Sequence, residues 1–217
     1  MTTMDVRVVK LGGSLLDDAE VATRYRRWLN TQRPARNVLI VGGGKLAEVL
    51  RRADKTHALD QSLLHWLAID CLGINARLVA GLLPEAELVS EWNGLRRRLL
   101  QMLPDGKSGT LVFDVTGFMR QIEPRLPGTR LAHGWNVTSD SIAARVAAGL
   151  AAGELVLLKS ALPAEEPQTT QALADIGYVD ESFPTIAREV RMIRCVNLRE
   201  SGPDNVREIA IHTDGAQ

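Results

Sequence analysis

The chain has 217 residues, 45% apolar and 24% charged, and its 26 basic and 26 acidic side chains cancel to a formal charge of zero. That length buries a sizeable core, as one large domain or two small ones. Without a basic excess, nucleic acid is not expected as the main partner, whereas a small anionic ligand needs only a local cluster of charge.

Val6–Leu11 reads as a buried β-branched strand carrying one lysine, Lys10, and breaking at Gly12-Gly13-Ser14. Asp17 and Asp18 suit a helix start, and Ala19 to Asn30 reads as a helix with an Arg-rich solvent face. Asn37–Val41 is a second short strand, followed by Gly42-Gly43-Gly44. The helix expected from about Lys45 to Ala53 turns Leu46, Val49 and Leu50 inward and Glu48, Arg51 and Arg52 mostly outward. The longest apolar-periodic segment, Asp60 to about Leu82, reads as one core helix with Leu63, Leu64, Leu67, Ala68, Cys71 and Leu72 on a shared face and a bend at Gly73. Ala86–Val89 is a short strand, and Trp92–Met102 a helix whose Arg96-Arg97-Arg98 reads as a solvated face. Thr110–Asp114 is another strand, and 115–134 reads as irregular. Thr138 or Ser139 then caps an alanine-rich helix running to about Ala152. Glu154–Lys159 is a second strand ending in lysine. Helices near 169–176 and 183–190, a strand at 192–198, a helix turn after Pro203 and an edge strand near 209–212 complete the chain.

Strands alternating with helices imply a mostly parallel sheet covered on both faces. One domain spanning 1–217 is expected, with two lobes sharing the sheet. The first 30 residues do not resemble a signal peptide, and no apolar run approaches the roughly 20 residues of a membrane span. Cys71 and Cys195 lie in apolar contexts without metal-ligand spacing and read as reduced core residues. A cytoplasmic protein without a membrane partner is therefore expected.

In open parallel sheets, ligands bind beyond the carboxyl ends of the strands. Both glycine turns and both strand-end lysines, Lys10 and Lys159, belong to that edge. A glycine turn between strand and helix offers backbone N–H groups beside a positive helix end, which favours phosphate or carboxylate. One such turn needs no more explanation than its shape; two on one edge point to an anion site. Gly42-Gly43-Gly44-Lys45-Leu46-Ala47 also fits the dinucleotide pattern, but the acidic residue at the required spacing, Asp60, opens a helix, which disfavours NAD. Gly106-Lys107-Ser108 resembles the end of a P-loop, yet position 101 is Gln101 and a strand follows, so a plain loop suffices. Asp140 either complements the dipole of its helix or orients the strand-end lysines, and Asn136 either belongs to the cap or reaches a substrate. Arg51, His57 and His65 are candidate acceptor contacts, with structural or surface roles the simpler reading for the histidines.

Taken in order, Lys10-Leu11-Gly12-Gly13-Ser14, Gly42-Gly43-Gly44, Thr138-Ser139-Asp140-Ser141-Ile142-Ala143-Ala144 and Leu157-Leu158-Lys159 resemble the amino acid kinase family. His65–Asp70 and Tyr178–Pro184 look most like a short branch that includes the aminomethylfuran-phosphate kinase of methanofuran synthesis. The resemblance implies a three-layer αβα sandwich with an acceptor-side lobe of about 1–135 and a nucleotide-side lobe of about 136–217. It implies ATP- and Mg2+-dependent transfer of a γ-phosphoryl group to a small phosphate- or carboxylate-bearing metabolite. Lys10 and Lys159 would neutralise the transferring group and Asp140 would hold them. Gly12, Gly13 and Ser14 would line the nucleotide phosphates, and Gly42, Gly43, Gly44 and Asn136 the acceptor, with no protein metal ligand. Many family members continue after the second lysine with a Thr-Asp-Val-Asp-Gly-Val-Tyr type segment; here the chain reads Lys159-Ser160-Ala161-Leu162-Pro163. A non-catalytic small-anion or nucleotide-binding protein of the same fold is the alternative. A homodimer or higher homo-oligomer built on the apolar helix at 60–82 is a further expectation.

Overall fold

The computed structural model describes residues 5–102, 109–164, 167, 169–200 and 207–211. Seven strands form one sheet in the order β3-β4-β2-β1-β5-β6-β7: β1 Val6–Leu11, β2 Arg36–Val41, β3 Glu87–Val89, β4 Gly109–Phe113, β5 Glu154–Lys159, β6 Ile193–Asn197 and β7 Glu208–Ile211. Every pairing is parallel except that of β6 with β7. The helices are α1 Val21–Thr31, α2 Gly44–His57, α3 Gln61–Leu82, α4 Trp92–Gln101, α5 Ser139–Gly149, α6 Thr170–Asp175 and α7 Phe183–Ala187. The Gly106-Lys107-Ser108 loop and the turn after Pro203 lie outside the described residues.

Strand side chains alternate between faces. Val8, Ile40, Phe113, Leu157 and Cys195 therefore meet α4–α7 on one side, while Val9, Leu39, Val112, Val156 and Val196 meet α1 on the other. Helix α3 contributes to both layers, with Ile69 and Leu72 on the first and Ala76 and Val79 on the second. The expected αβα sandwich is the one observed. Both cysteines are free and buried, and burial pushes the Cys195 thiol up to about 12, away from thiolate reactivity.

Several local readings need correction. Helix α2 buries none of its side chains: Leu46 is 37% and Val49 52% exposed, because α2 rests on the glycine turns by backbone and covers a cleft instead of the core. Leu63 also faces outward. Helix α3 runs unbroken through Gly73, whose missing side chain makes room for Asp114 and Thr116; a Cβ there would sit 2.6 Å from Thr116 Oγ1. At 22 residues, α3 is also long and apolar enough to match a membrane span by length and composition, although half of that stretch is buried against the protein. The 115–134 segment, read as irregular, winds into helical turns at Phe118–Ile122 and Glu123–Arg125. The buried Arg145 guanidinium holds this segment through Glu123 and the Leu126 and Pro127 carbonyls.

At the amino edge of the sheet, Glu154 receives Arg7 from one side and Arg194 from the other, each at 2.6 Å, and Arg7 also donates to Asn37 Oδ1. Glu154→Gln leaves the buried Arg7 guanidinium without its counter-charge, while Arg194 keeps Glu208. The substitution should lower stability by about 3 kcal/mol in a urea titration, whereas an unchanged midpoint would show that the network carries no stability.

Candidate active site

Lys10 pairs with Leu157 across the β1–β5 ladder. Lys159 lies two residues beyond Leu157, on the same strand and therefore on the same face. Register alone thus brings the two lysines to one face at the carboxyl edge, where the first turn of α5 crosses. Asp140 stands in that turn and bridges them: Lys10 Nζ lies 2.9 Å from Oδ1 and Lys159 Nζ 2.8 Å from Oδ2. Lys159 also donates to the Tyr178 carbonyl at 2.8 Å. Lys10 and Asp140 are almost wholly buried, and Lys159 is only slightly more open.

The electrostatics follow from this packing. Burial alone would raise the Asp140 carboxyl, but Lys10 and Lys159 together reverse that and hold it at about 2. Burial pulls the Lys10 ammonium below its ordinary value, against the attraction of Asp140 and helped by the like charge of Lys159. Two cations thus share one carboxylate in a site from which most water is excluded.

The cap of α5 is settled by the structure. Thr138 is the capping residue, its Oγ1 accepting from the Asp140 N–H at 3.3 Å. Behind it, Asp180 accepts from the Thr138 N–H and Oγ1 and from the Ser141 N–H and Oγ. Asp180 thereby fixes the turn that carries Asp140. It had no assigned role in the sequence, although its stretch was one of those that carried the family resemblance.

The two glycine turns lie against each other. A Cβ on Gly13 would sit 2.1 Å from the Gly44 nitrogen, and one on Gly42 2.8 Å from the Gly13 nitrogen. Gly44 adopts φ +52°, which favours glycine. These contacts require glycine for shape whatever else the turns do. The Gly12 and Gly42 N–H groups donate to Leu158 and Leu11 carbonyls and continue the sheet; Gly13, Ser14, Gly43 and Gly44 line the adjacent cavity. Asn75, buried on the inner stripe of α3, donates its amide to the Gly42 and Gly43 carbonyls at 2.7 and 3.0 Å and steadies the second turn. Its one visible signal is a polar side chain in register with Leu72 and Val79.

The cavity has a volume of 370 Å³ and lies between α2, α3, the glycine turns and the start of α5. His65 and Arg51 line it, as does Trp135, which the sequence reading missed. Asn136 does not join them: it is exposed and faces a separate cleft with Glu181 and Ser182, because the chain turns between Gly134 and Val137. His57 is exposed at the end of α2, away from the cavity. Asp60 caps α3, accepting from the Leu63 N–H at 2.8 Å, so it does not occupy the strand-end position of an NAD-ribose ligand.

Comparison with known proteins agrees with this layout. The amino acid kinase family matches residues 5–161. A (5-(aminomethyl)furan-3-yl)methyl phosphate kinase of Methanocaldococcus jannaschii is 26% identical over 207 residues, covering 86% of this chain and 85% of that protein. Among solved structures, the UMP kinase of Ureaplasma parvum superposes with a TM-score of 0.64 at 13% identity, covering 97% of both chains. The uridylate kinase of Archaeoglobus fulgidus gives 0.58 at 17% identity, over 97% of this chain and 92% of its own. At such identities the structural likeness speaks to fold alone.

Because the folded-state pKa of Asp140 lies below its ordinary value, its ionic contribution is full above about pH 4 and disappears as pH falls towards 2. The difference in urea midpoint between the parent protein and Asp140→Asn should therefore shrink over that window. A difference that stays constant from pH 6 down to acid unfolding would contradict the bridge.

Proposed function

The chain belongs to the amino acid kinase family, and from that premise we propose that it transfers the γ-phosphoryl group of ATP, with Mg2+, to a small phosphate-bearing metabolite. The observation that carries this reading is the Lys10–Asp140–Lys159 bridge beside the paired glycine turns. Transfer to a nucleophile that is already anionic needs little base catalysis, so positioning and charge stabilisation dominate. Lys10 and Lys159 would approach the transferring group from adjacent strands. Asp140 would hold both ammonium groups so that they need not reorganise as charge shifts between leaving and attacking oxygens. Gly13 and Ser14 would receive the nucleotide phosphates, with Gly12 shaping their turn. Gly43 and Gly44 would face the acceptor, with Gly42 behind them.

The residues fit such substrates. Two ammonium groups meet at the carboxyl edge beside glycine turns that line a cavity, an arrangement that suits a polyphosphate. Among the described residues there is no cluster of three metal-ligating side chains. Magnesium would accordingly be held mainly by phosphate oxygens and would neutralise part of their charge. The stretch after Lys159 is organised differently from the usual family segment: Tyr178 Oη donates to the Ala161 carbonyl at 3.0 Å and Leu162 packs on the core.

The acceptor end is supported by the archaeal relative, whose name specifies a furan phosphate as the molecule it phosphorylates. We read the acceptor here as a phosphate monoester of that general kind, in one-carbon cofactor synthesis of the methanofuran type. Family membership and that relative favour the kinase over a non-catalytic anion binder. In the same reading, 1–217 is one domain with an acceptor-side lobe of about 1–135 and a nucleotide-side lobe beyond it. The setting is cytoplasmic, in keeping with two free buried cysteines. The outward row Ile74, Leu78 and Leu82 on α3 supplies a surface for a homodimer.

ADP formation from magnesium-ATP over a panel of phosphate monoesters, including (5-(aminomethyl)furan-3-yl)methyl phosphate, tests the proposal. Lys10→Ala and Asp140→Asn should each lower kcat on the order of 10²–10³-fold while near-UV circular dichroism stays native. Full turnover in both variants would remove the roles assigned to these residues. Magnesium-ATP binding without ADP formation across the panel would favour the non-catalytic binder.

A further inference from the structure

The end of the cavity away from the glycine turns is built from groups that phosphoryl transfer does not use. Leu72 marks the near end, its Cδ1 3.5 Å from where a Gly43 Cβ would lie. Seven residues back along α3 stands His65, and seven residues along α2 from Gly44 stands Arg51. At about 1.5 Å per residue, both lie roughly 10 Å from the turns. The wall between them and the turns is apolar, from Ala47 and Ala68 to Ile69 and Leu72.

This far end is braced from outside. Trp135 Nε1 donates to Asp54 Oδ2 at 2.9 Å, and the Arg51 guanidinium lies 4.7 Å from the centre of the Trp135 ring, tying the 134–137 turn to α2. The His65 imidazole stacks on His133 with ring centres 4.4 Å apart and planes 12° from parallel, and Trp66 stands edge-on to both. His65 is 4% exposed, and its Nε2 finds no hydrogen-bond partner among the described residues. A buried polar atom left unpaired costs about 1–3 kcal/mol; Nε2 is closed off from solvent, and because His65 stands in the cavity wall, a turn of its ring brings that atom to a partner on a ligand. Burial, and then the neighbouring His133 and Arg120, bring the imidazole down to about 4, so the ring is neutral in ordinary buffers.

We infer that His65 determines acceptor specificity: set by His133 and Trp66, it hydrogen-bonds the acceptor at the end remote from the transferred phosphoryl group. The cavity then selects a phosphate monoester with an apolar body and a hydrogen-bonding group at the end remote from its phosphate. This inference rests on reading the cavity as the acceptor site, and its test does not depend on turnover.

Calorimetric titration without nucleotide compares the furan phosphate of the panel with methyl phosphate, which lacks both body and far group. The parent protein should bind the furan phosphate more tightly. His65→Ala should weaken that binding about tenfold and leave methyl phosphate within twofold, and His65→Gln should recover part of the loss. His133→Ala, at an exposed position, should weaken furan phosphate binding about threefold and spare methyl phosphate. Equal weakening of both probes, no weakening of either, or a parent protein that does not prefer the furan phosphate would each overturn the inference. ADP formation without this discrimination would leave the kinase reading standing; discrimination without ADP formation would do the opposite.

Discussion

A carboxylate shared by two lysines from neighbouring parallel strands is the constraint on which the rest of the structure depends. Asp140 cannot leave without exposing Lys10 and Lys159 to each other in a poorly hydrated site, and neither lysine alone would hold the carboxylate so far below its ordinary range. The arrangement places two ammonium groups together at the carboxyl edge, where the glycine turns open into the cavity.

Much of the surrounding fold works to keep that edge in place. Glu154, gripping Arg7 and Arg194 at the opposite end of β1, β5 and β6, fixes the register that puts Lys10 and Lys159 on one face. Asp180 secures the turn that delivers Asp140, and Asn75 secures the second glycine turn from behind. None of these residues need touch a substrate. Each uses a buried polar group to set a distance at the site to within a hydrogen-bond length. Such groups are costly unless fully paired, and these are paired.

The parts that could be read from sequence are those governed by short-range periodicity. Short, nearly continuous apolar runs along Val6–Leu11 and Glu154–Lys159 located the strands, and their parallel pairing followed from the intervening helices. With register assumed, Lys10 and Lys159 converge; Asp140 stayed open between helix cap and lysine partner on the residues alone, and only the family resemblance assigned it to the lysines. What escaped depends on long-range placement. Leu46 and Val49 look like core residues because α2 is amphipathic, but the helix lies across a cleft and leaves them in solvent. Asn136 sits four residues before Asp140, yet the turn at Gly134–Val137 sends it to the other side. His133 carried no signal, since its stacking on His65 joins segments nearly seventy positions apart. The Gly42–Gly44 turn had two readings, shape or anion, and the backbone contact with Gly13 shows that shape is demanded whatever else the turn does.

The central claim is that the lysine pair and the two glycine turns together form one phosphoryl-transfer site. The most direct measurement is a crystal structure with magnesium and a non-hydrolysable ATP analogue. The account predicts the terminal phosphate beside the paired glycine turns, on their cavity side, within hydrogen-bond reach of both Lys10 and Lys159. A triphosphate bound elsewhere, with both lysines still directed only at Asp140, would contradict it.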